Sequence, residues 1–131
     1  SNFNTKNVKA FGTITWRGMF YNCSKLEELN VSSFDTSNAN NMYMMFANCR
    51  SLKKLDLSNF KTPNLTSMAS MFANCSSLKS LDLSSFDFSN VTRYTEFFKG
   101  NVSFNVYVKD QASKDFINKV DSGINCVIKE A

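Results

Sequence analysis

The sequence predicts an α/β solenoid, a right-handed coil with short parallel strands on its concave face and short helices on its convex face. The string Met-Phe-x-Asn-Cys begins at Met19, Met45 and Met71, which gives a period of 26 residues. Each copy is followed by Leu-x-x-Leu-x-Leu or its Val variant, and the next apolar residues follow helical spacing. A fixed period of about 20 to 50 residues is typical of chains in which each repeat forms one structural unit.

The strands are predicted from the end of the Leu-x-x-Leu-x-Leu string. There, two apolar residues flank a polar one, and this alternation is typical of a short half-buried strand. We expect parallel strands near Leu29–Val31, Leu55–Leu57, Leu81–Leu83 and Val106–Val108. The polar side chains between the leucines would point outward from the concave face.

The helices are predicted from the stretch that follows each strand. Leu65, Met68, Phe72 and Cys75 are spaced i, i+3, i+7 and i+10, which places them on one face of a helix. Asn64, just before them, is a suitable N-cap residue. Two columns of phenylalanine should stack in the core, one made of Phe34, Phe60 and Phe86 and the other of Phe20, Phe46, Phe72 and Phe98.

The whole chain, residues 1–131, is expected to form one domain. Residues 1–18 are either a half-repeat, because Phe3–Val8 matches Phe34–Ala39, or a reduced N-terminal cap. Three full repeats and a closing segment follow, at 19–44, 45–70, 71–96 and 97–131. In the closing segment, a degenerate repeat should lead into a strand–helix–strand cap, with Asp110 starting the helix and a last strand at Ile124–Ile128.

The composite repeat resembles the BspA-like leucine-rich-repeat family of bacterial surface proteins. Residues 77–92 read SLKSLDLSSFDFSNVT, and the likeness extends over residues 19–108. Asn101, where a cysteine is expected, and Lys61-Thr62-Pro63 depart from the pattern. The resemblance implies a leucine-rich-repeat fold, an extracellular or cell-surface location, and adhesion to another protein or a host surface macromolecule. End-to-end contact with further repeats is a second possible interaction.

Composition argues against several other classes. The net charge of +4 is scattered, with no block of like charges, so no nucleic-acid partner is expected. No apolar run is long enough for a transmembrane segment. The sequence has no histidine and no glycine-rich phosphate loop, so we expect neither an enzyme nor a cofactor or metal site.

The cysteines are expected to be structural. Cys23, Cys49 and Cys75 hold equivalent positions, and Cys126 stands apart. Equivalent side chains in a stack point the same way, whereas the Cβ atoms of a disulfide must converge to about 3.8 Å. We therefore expect free, buried thiols that act as small apolar fillers, with a disulfide as the alternative.

Binding is the function that we expect, and two sets of residues are its candidates. One set is non-repeating, and the other lies in the polar columns of the concave face: Trp16, Arg17 and Tyr107 for the first, and Lys53, Lys79, Asp56 and Asp82 for the second. Trp, Tyr and Arg concentrate interface energy, which favours the first set, although Trp16 suits the core of a cap better than it suits a binding anchor. The expected function is a non-catalytic leucine-rich-repeat module that binds a protein or mediates adhesion. The alternative is a passive spacer in a larger surface protein.

Overall fold

Strands and turns make up most of the structure, a computed structural model that describes residues 2–4, 15–101 and 104–129. The strands are β1 (Asn2–Asn4), β2 (Glu28–Asn30), β3 (Lys54–Leu55), β4 (Ser80–Asp82), β5 (Asn105–Val108) and β6 (Asn125–Ile128). The helix found in the described residues is α1 (Gln111–Val120). The strands form two parallel three-stranded sheets, in the orders β1-β2-β3 and β4-β5-β6.

The strands of the repeats lie one residue earlier than predicted, and a side chain explains the shift. Leu29 pairs with Leu55, as the repeat requires. The next residue in β2 is Asn30, whose Oδ1 accepts a hydrogen bond from the Ser32 N–H at 2.9 Å. Asp82 makes the same 2.9 Å contact with the N–H of Ser84. Asn and Asp favour such turns, which end each strand before its second apolar residue.

The predicted convex-face helices do not form, because each Met-Phe-x-Asn-Cys segment contains left-handed residues. Met44 and Asn48 have φ of 56° and 63°, and Ser70 and Asn74 have φ of 56° and 59°. Right-handed helices exclude this conformation. Apolar residues three and four apart still point inward in these turns, which is why the sequence resembles a helix there.

The backbone bonds of these turns also differ from those of a helix. The N–H of Phe46 donates to the Met71 carbonyl of the next repeat at 2.9 Å, while the N–H of Ala47 donates to the Met44 carbonyl of the same turn, three residues earlier, at 3.1 Å. An α-helix would instead direct both groups to the carbonyl four residues earlier. Alternate N–H groups thus join the repeats, and the others close each turn.

The predicted α/β solenoid is therefore wrong. Within the described residues, the strands are divided between two sheets, and α1 lies near the C-terminus rather than in a repeat. The structure is a strand-and-turn protein with one helix in that part of the chain, and not a leucine-rich-repeat coil with a helix in each repeat.

The N-terminal register also differs from the prediction. Phe3 pairs with Leu29, and Thr15 forms a bridge with Asn41, and both offsets equal the 26-residue period. Phe3 therefore corresponds to Leu29 and not to Phe34. The remaining part of the predicted half-repeat or cap, residues 5–14, lies outside the described residues.

The core is one cluster of buried side chains that extends from Trp16 to Cys126. One predicted phenylalanine column is confirmed, with ring centroids 5.6 Å apart for Phe20–Phe46, 5.5 Å for Phe46–Phe72 and 6.3 Å for Phe72–Phe98. The other is confirmed at Phe60, which is fully buried and stacks on Phe86 at 6.1 Å. Phe34 instead has ring contacts with Trp16 at 5.0 Å and Phe20 at 6.1 Å.

The C-terminal helix and last strand are confirmed. The Ser113 N–H donates to Asp110 Oδ1 at 2.9 Å, so Asp110 caps α1 as predicted. Phe116 of α1 packs against Phe88 at 5.0 Å and against Tyr94 at 5.3 Å. These contacts place the helix beside the last repeat, next to the surface described below.

Candidate functional site

A shallow groove lies along a row of parallel bridges that joins four repeats. The bridges connect Thr15 to Asn41, Asn41 to Ser67, and Ser67 to Arg93. The groove has a volume of about 530 Å³ and is called the ladder groove below. Its lining residues are Arg17, Asn41, Tyr43, Ser67, Ala69, Thr92, Arg93, Tyr94 and Thr95. It runs across the repeats, so each repeat contributes different side chains to it.

Two tyrosines are held in place along the ladder groove. The guanidinium of Arg17 lies over the Tyr43 ring, 5.2 Å from its centroid, in a cation–π contact. Tyr94 meets Phe116 edge-on at 5.3 Å, and the Lys119 ammonium lies 5.7 Å from the Tyr94 centroid. Rings that are already positioned lose little conformational freedom when a partner binds.

The ladder groove carries uncompensated positive charge. Arg17 and Arg93 are exposed, and neither makes an ion pair within the described residues. The lining contains no carboxylate. The nearby Glu96 pairs instead with Lys99, at an Nζ–Oε1 distance of 3.3 Å.

The second candidate surface is a hollow of about 470 Å³ on the strand side, called the strand-face cluster below. Its charged residues are Lys53, Lys54, Asp56, Asp82 and Lys129. Lys129 Nζ donates to Asp82 Oδ2 at 2.6 Å. Glu27 and Lys53 lie at equivalent positions of neighbouring repeats, as do Glu28 and Lys54, but neither pair is among the ion pairs of the described residues.

Hydrogen bonds hold the two aspartates of this cluster in the charged form. Burial raises the pKa of Asp82, but hydrogen bonds from Lys129 and Ser84 outweigh it, so the net shift is downward. The pKa of Asp56 is lowered by the backbone and side-chain hydrogen bonds of Ser58, despite the nearby charge of Asp82. The bond to Asp82 raises the pKa of Lys129. The two aspartates of the cluster are therefore engaged with Lys129 and the neighbouring serines, whereas Lys53 and Lys54 form no ion pair within the described residues.

The structure separates the residues predicted as a binding surface. Trp16 is 1% exposed and belongs to the core, the role that the sequence favoured, so it is not available as a binding anchor. Arg17 lies in the ladder groove. Tyr107 is half-buried on β5, where it pairs with Asp82, and so it lies beside the strand-face cluster. Lys53 lines that cluster, whereas Lys79 is exposed and directs its Nζ to the Ser76 carbonyl at 3.5 Å.

Sequence reasoning missed Tyr43, Arg93 and Tyr94. A usable signal was present, because the positions equivalent to Arg17 change from repeat to repeat: Arg17, Tyr43, Ala69 and Thr95. Positions that vary inside a strict repeat are not needed for stacking. The variation at these positions would have drawn attention to Tyr43 and therefore to this groove.

The cysteines form a structural row rather than a reactive site. Cys49 Sγ donates to the Phe20 carbonyl at 3.2 Å, and Cys75 Sγ to the Phe46 carbonyl at 3.1 Å. Asn101, at the equivalent position, replaces the thiol with an amide and donates to the Phe72 carbonyl at 3.0 Å.

All four cysteines are free, as predicted for Cys23, Cys49 and Cys75. Burial, reinforced by the neighbouring thiols, raises the pKa of Cys49 to about 12, and burial raises that of Cys75 to about 12. Cys23 is only half-buried, so the prediction that it is inaccessible was wrong.

Two features are absent from the described residues. None of their helices is long and apolar enough to cross a membrane. They also contain no group of three or more His, Cys, Asp or Glu side chains that could hold a metal ion.

Comparison with known proteins corrects the family that the repeat suggested. Residues 1–111 match the family described as "Mycoplasma protein of unknown function, DUF285", and not a BspA-like leucine-rich-repeat family. The resemblance rested on short apolar strings that place strands and turns, and such strings do not separate one repeat family from another. No curated protein and no solved structure matches the chain. The matched region ends where α1 begins and covers most of the sequence, so the chain belongs to the DUF285 family.

Proposed function

We propose that this protein is a non-catalytic binding module that contacts another protein through the ladder groove. The observation that carries the proposal is the exposed Arg17 guanidinium over the Tyr43 ring, with Arg93 and Tyr94 in the same groove. Tyr and Arg are enriched among the residues that contribute most to binding energy. The groove offers aromatic surface together with charges that have no partner within the described part of the chain.

The strand-face cluster is the weaker candidate, since its two aspartates already have partners, although Lys53 and Lys54 form no ion pair within the described residues. A macromolecule bound there would have to compete with the 2.6 Å contact between Asp82 and Lys129. It would also desolvate carboxylates that accept hydrogen bonds from Ser58 and Ser84. Removing paired charges from water has a cost that new contacts must offset.

A passive spacer is the second candidate function, and the inter-repeat bonding favours it. Phe20, Phe46 and Phe72 each donate a backbone hydrogen bond to the following repeat, at distances of 2.8, 2.9 and 3.1 Å. Such bonding between successive repeats would make the described part of the chain stiff. A spacer, however, has no use for exposed arginines and half-buried tyrosines gathered in one groove.

Lack of catalysis is part of the proposal. An aspartate that acts as a general acid near neutral pH needs a raised pKa. Asp56 and Asp82, the paired carboxylates of the strand face, both have lowered pKa values. We also propose a secreted or cell-surface location. Protease treatment of intact source cells would test it, because a surface protein is degraded while the cells remain closed.

An array of purified proteins and glycans, probed with the intact chain, tests the binding function. Two double variants should accompany the wild type: Tyr43→Ala with Arg93→Gln in the ladder groove, and Asp56→Asn with Asp82→Asn in the strand-face cluster. We expect a protein on the array to bind the wild type and the strand-face variant but not the groove variant. Loss of binding only in the strand-face variant would contradict the proposal. A wild type that binds nothing would favour the spacer.

A further inference from the structure

We propose that the ladder groove recognises an extended acidic peptide segment of a partner protein, with two carboxylates four residues apart and an apolar side chain between them. This inference rests on the proposed binding function and adds the chemistry of the partner.

The charge of the groove selects an anionic partner. Arg17 and Arg93 are exposed and have no acidic partner within the described residues, and no carboxylate lines the groove. A guanidinium presents a planar fork of donors that matches the two oxygens of a carboxylate. Thr95, exposed beside Arg93, adds a hydroxyl group that can donate to the same anion.

The spacing of the arginines sets the spacing of the carboxylates. Three bridge steps separate the repeat of Arg17 from the repeat of Arg93. At about 4.8 Å for each step, the two repeats lie about 14 Å apart. An extended peptide rises about 3.3 Å per residue, so residues i and i+4 span a similar distance and face the same side.

The middle of the groove suits an apolar side chain. Ala69 lies in the repeat between those of Tyr43 and Tyr94, and its small side chain leaves space in the middle of the groove lining. Residue i+2 of an extended peptide faces the same side as i and i+4 and would enter this space. A phenylalanine there could pack against both tyrosines.

The backbone of the groove is not available for strand addition. The N–H of Met42 donates to Ser67 at 2.8 Å, and the N–H of Met68 donates to Arg93 at 2.9 Å. Because these groups already join neighbouring repeats, a peptide must be recognised through side chains. It would cross the repeats rather than extend a sheet.

Nucleic acid fits this groove less well than an acidic peptide. A single strand of nucleic acid carries one phosphate about every 3.4 Å or somewhat more, so several phosphates would face the groove. Its lining residues include two cations, Arg17 and Arg93. The intermediate phosphates would lie against Tyr43 and Ala69 without a counter-charge.

The test is a fluorescence-anisotropy titration of the full chain against fluorescein-labelled Gly-Ser-Asp-Gly-Phe-Gly-Asp-Ser-Gly. Arg17→Gln and Arg93→Gln should each weaken binding about fivefold, since each removes one exposed charge-assisted contact. Arg50→Gln is the matched control, because Arg50 is exposed, outside the groove, and changes the net charge equally. Arg17→Lys keeps the charge but not the fork, and it should retain part of the affinity.

Two altered peptides test whether binding depends on the carboxylates and on their spacing, and an oligonucleotide tests nucleic acid as the alternative ligand. Replacing both aspartates by asparagine, or moving them two residues apart, should abolish or strongly weaken binding. Equal weakening by Arg50→Gln would show non-specific charge attraction and overturn the inference. Tighter binding of a single-stranded oligonucleotide, lost in Arg17→Gln and Arg93→Gln, would also overturn it. Unchanged urea midpoints should accompany the variants and show that they are folded.

The failure of this inference can be told apart from failure of the proposed function. If the peptide does not bind while an array protein still binds through the groove, the acidic-peptide chemistry is wrong and the binding function stands. If neither the peptide nor any array member binds, both proposals fail.

Discussion

Substitutions at Ser70 distinguish a left-handed turn from a helix, because the difference in unfolding free energy between a glycine and an alanine there has opposite signs in the two structures. Ser70 has φ of 56°, and it is half-buried, in the turn of the third Met-Phe-x-Asn-Cys segment. The equivalent position in the first segment is Gly18, with φ of 64°. We therefore expect Ser70→Gly to be more stable than Ser70→Ala.

The magnitude follows from two opposing terms. A left-handed conformation costs a residue with a side chain about 1–2 kcal/mol, and glycine avoids this cost. Glycine loses about 0.5–1 kcal/mol more than alanine through the entropy of the unfolded chain. The net expectation is that Ser70→Gly exceeds Ser70→Ala by about 0.5–1 kcal/mol. In a helix the order reverses, and glycine would be worse by about 1 kcal/mol.

Urea unfolding of the two variants measures this difference by linear extrapolation. Ala69→Gly is the matched control, because Ala69 is the neighbouring residue and is not among those with positive φ. It should lose about 0.5–1 kcal/mol. A Ser70→Gly variant less stable than Ser70→Ala would refute the turn and restore the helix.

Three further predictions concern the core, the thiols and pH. Phe60→Ala should lose about 3–5 kcal/mol in urea unfolding, because Phe60 is fully buried, and a loss under about 1 kcal/mol would contradict its place in the core. In thiol titration of the native protein at pH 8, Cys23 should react faster than Cys49, whose pKa is raised to about 12, and equal rates would contradict the buried row. Because folding lowers the pKa of Asp56, its carboxylate stabilises the fold at pH values above 3.8, the pKa of this group in the unfolded chain. This contribution disappears as the pH falls through the folded-state pKa. Asn30 makes the same turn contact at the equivalent position of its repeat, so Asp56→Asn should keep the turn. The variant's urea midpoint should then be less sensitive to acid between about pH 5 and pH 2. An unchanged dependence of the midpoint on pH would contradict the stabilising role of the Asp56 carboxylate.

Some elements could be predicted because their signals are local. The α1 helix has a capping aspartate at Asp110 and an apolar face that includes Ile117, and both features act within a few residues. The strands followed from two-residue alternation. Their exact ends did not, because the side chain of Asn30 or Asp82 forms a turn that competes with the strand.

The turns could not be distinguished from helices by apolar spacing alone. Residues at i, i+3 and i+7 point inward in both structures, so Leu65, Met68 and Phe72 were compatible with either. The distinguishing residues are Gly18 and Asn48, which tolerate positive φ. The backbone bonds between repeats then replace those that a helix would make.

The candidate site was predicted only in part. Arg17 was identified because arginine is common at interfaces. The same reasoning named Trp16 as a candidate, but its side chain is buried in the core. Tyr94 was missed because its equivalents in other repeats, such as Met68, are buried core residues. The bridges that align Arg93 with Thr15 depend on pairing between distant repeats, which single-sequence patterns do not specify.

Site-specific photo-crosslinking tests the central claim, that a partner contacts the ladder groove. A benzophenone amino acid replaces Thr95, an exposed residue of the groove, or Lys53, an exposed residue of the strand-face cluster. Each protein is irradiated with the partner identified on the array. If the partner contacts the ladder groove, we expect a crosslinked product from position 95 and none from position 53. A product from position 53 alone would contradict this claim and assign binding to the strand face.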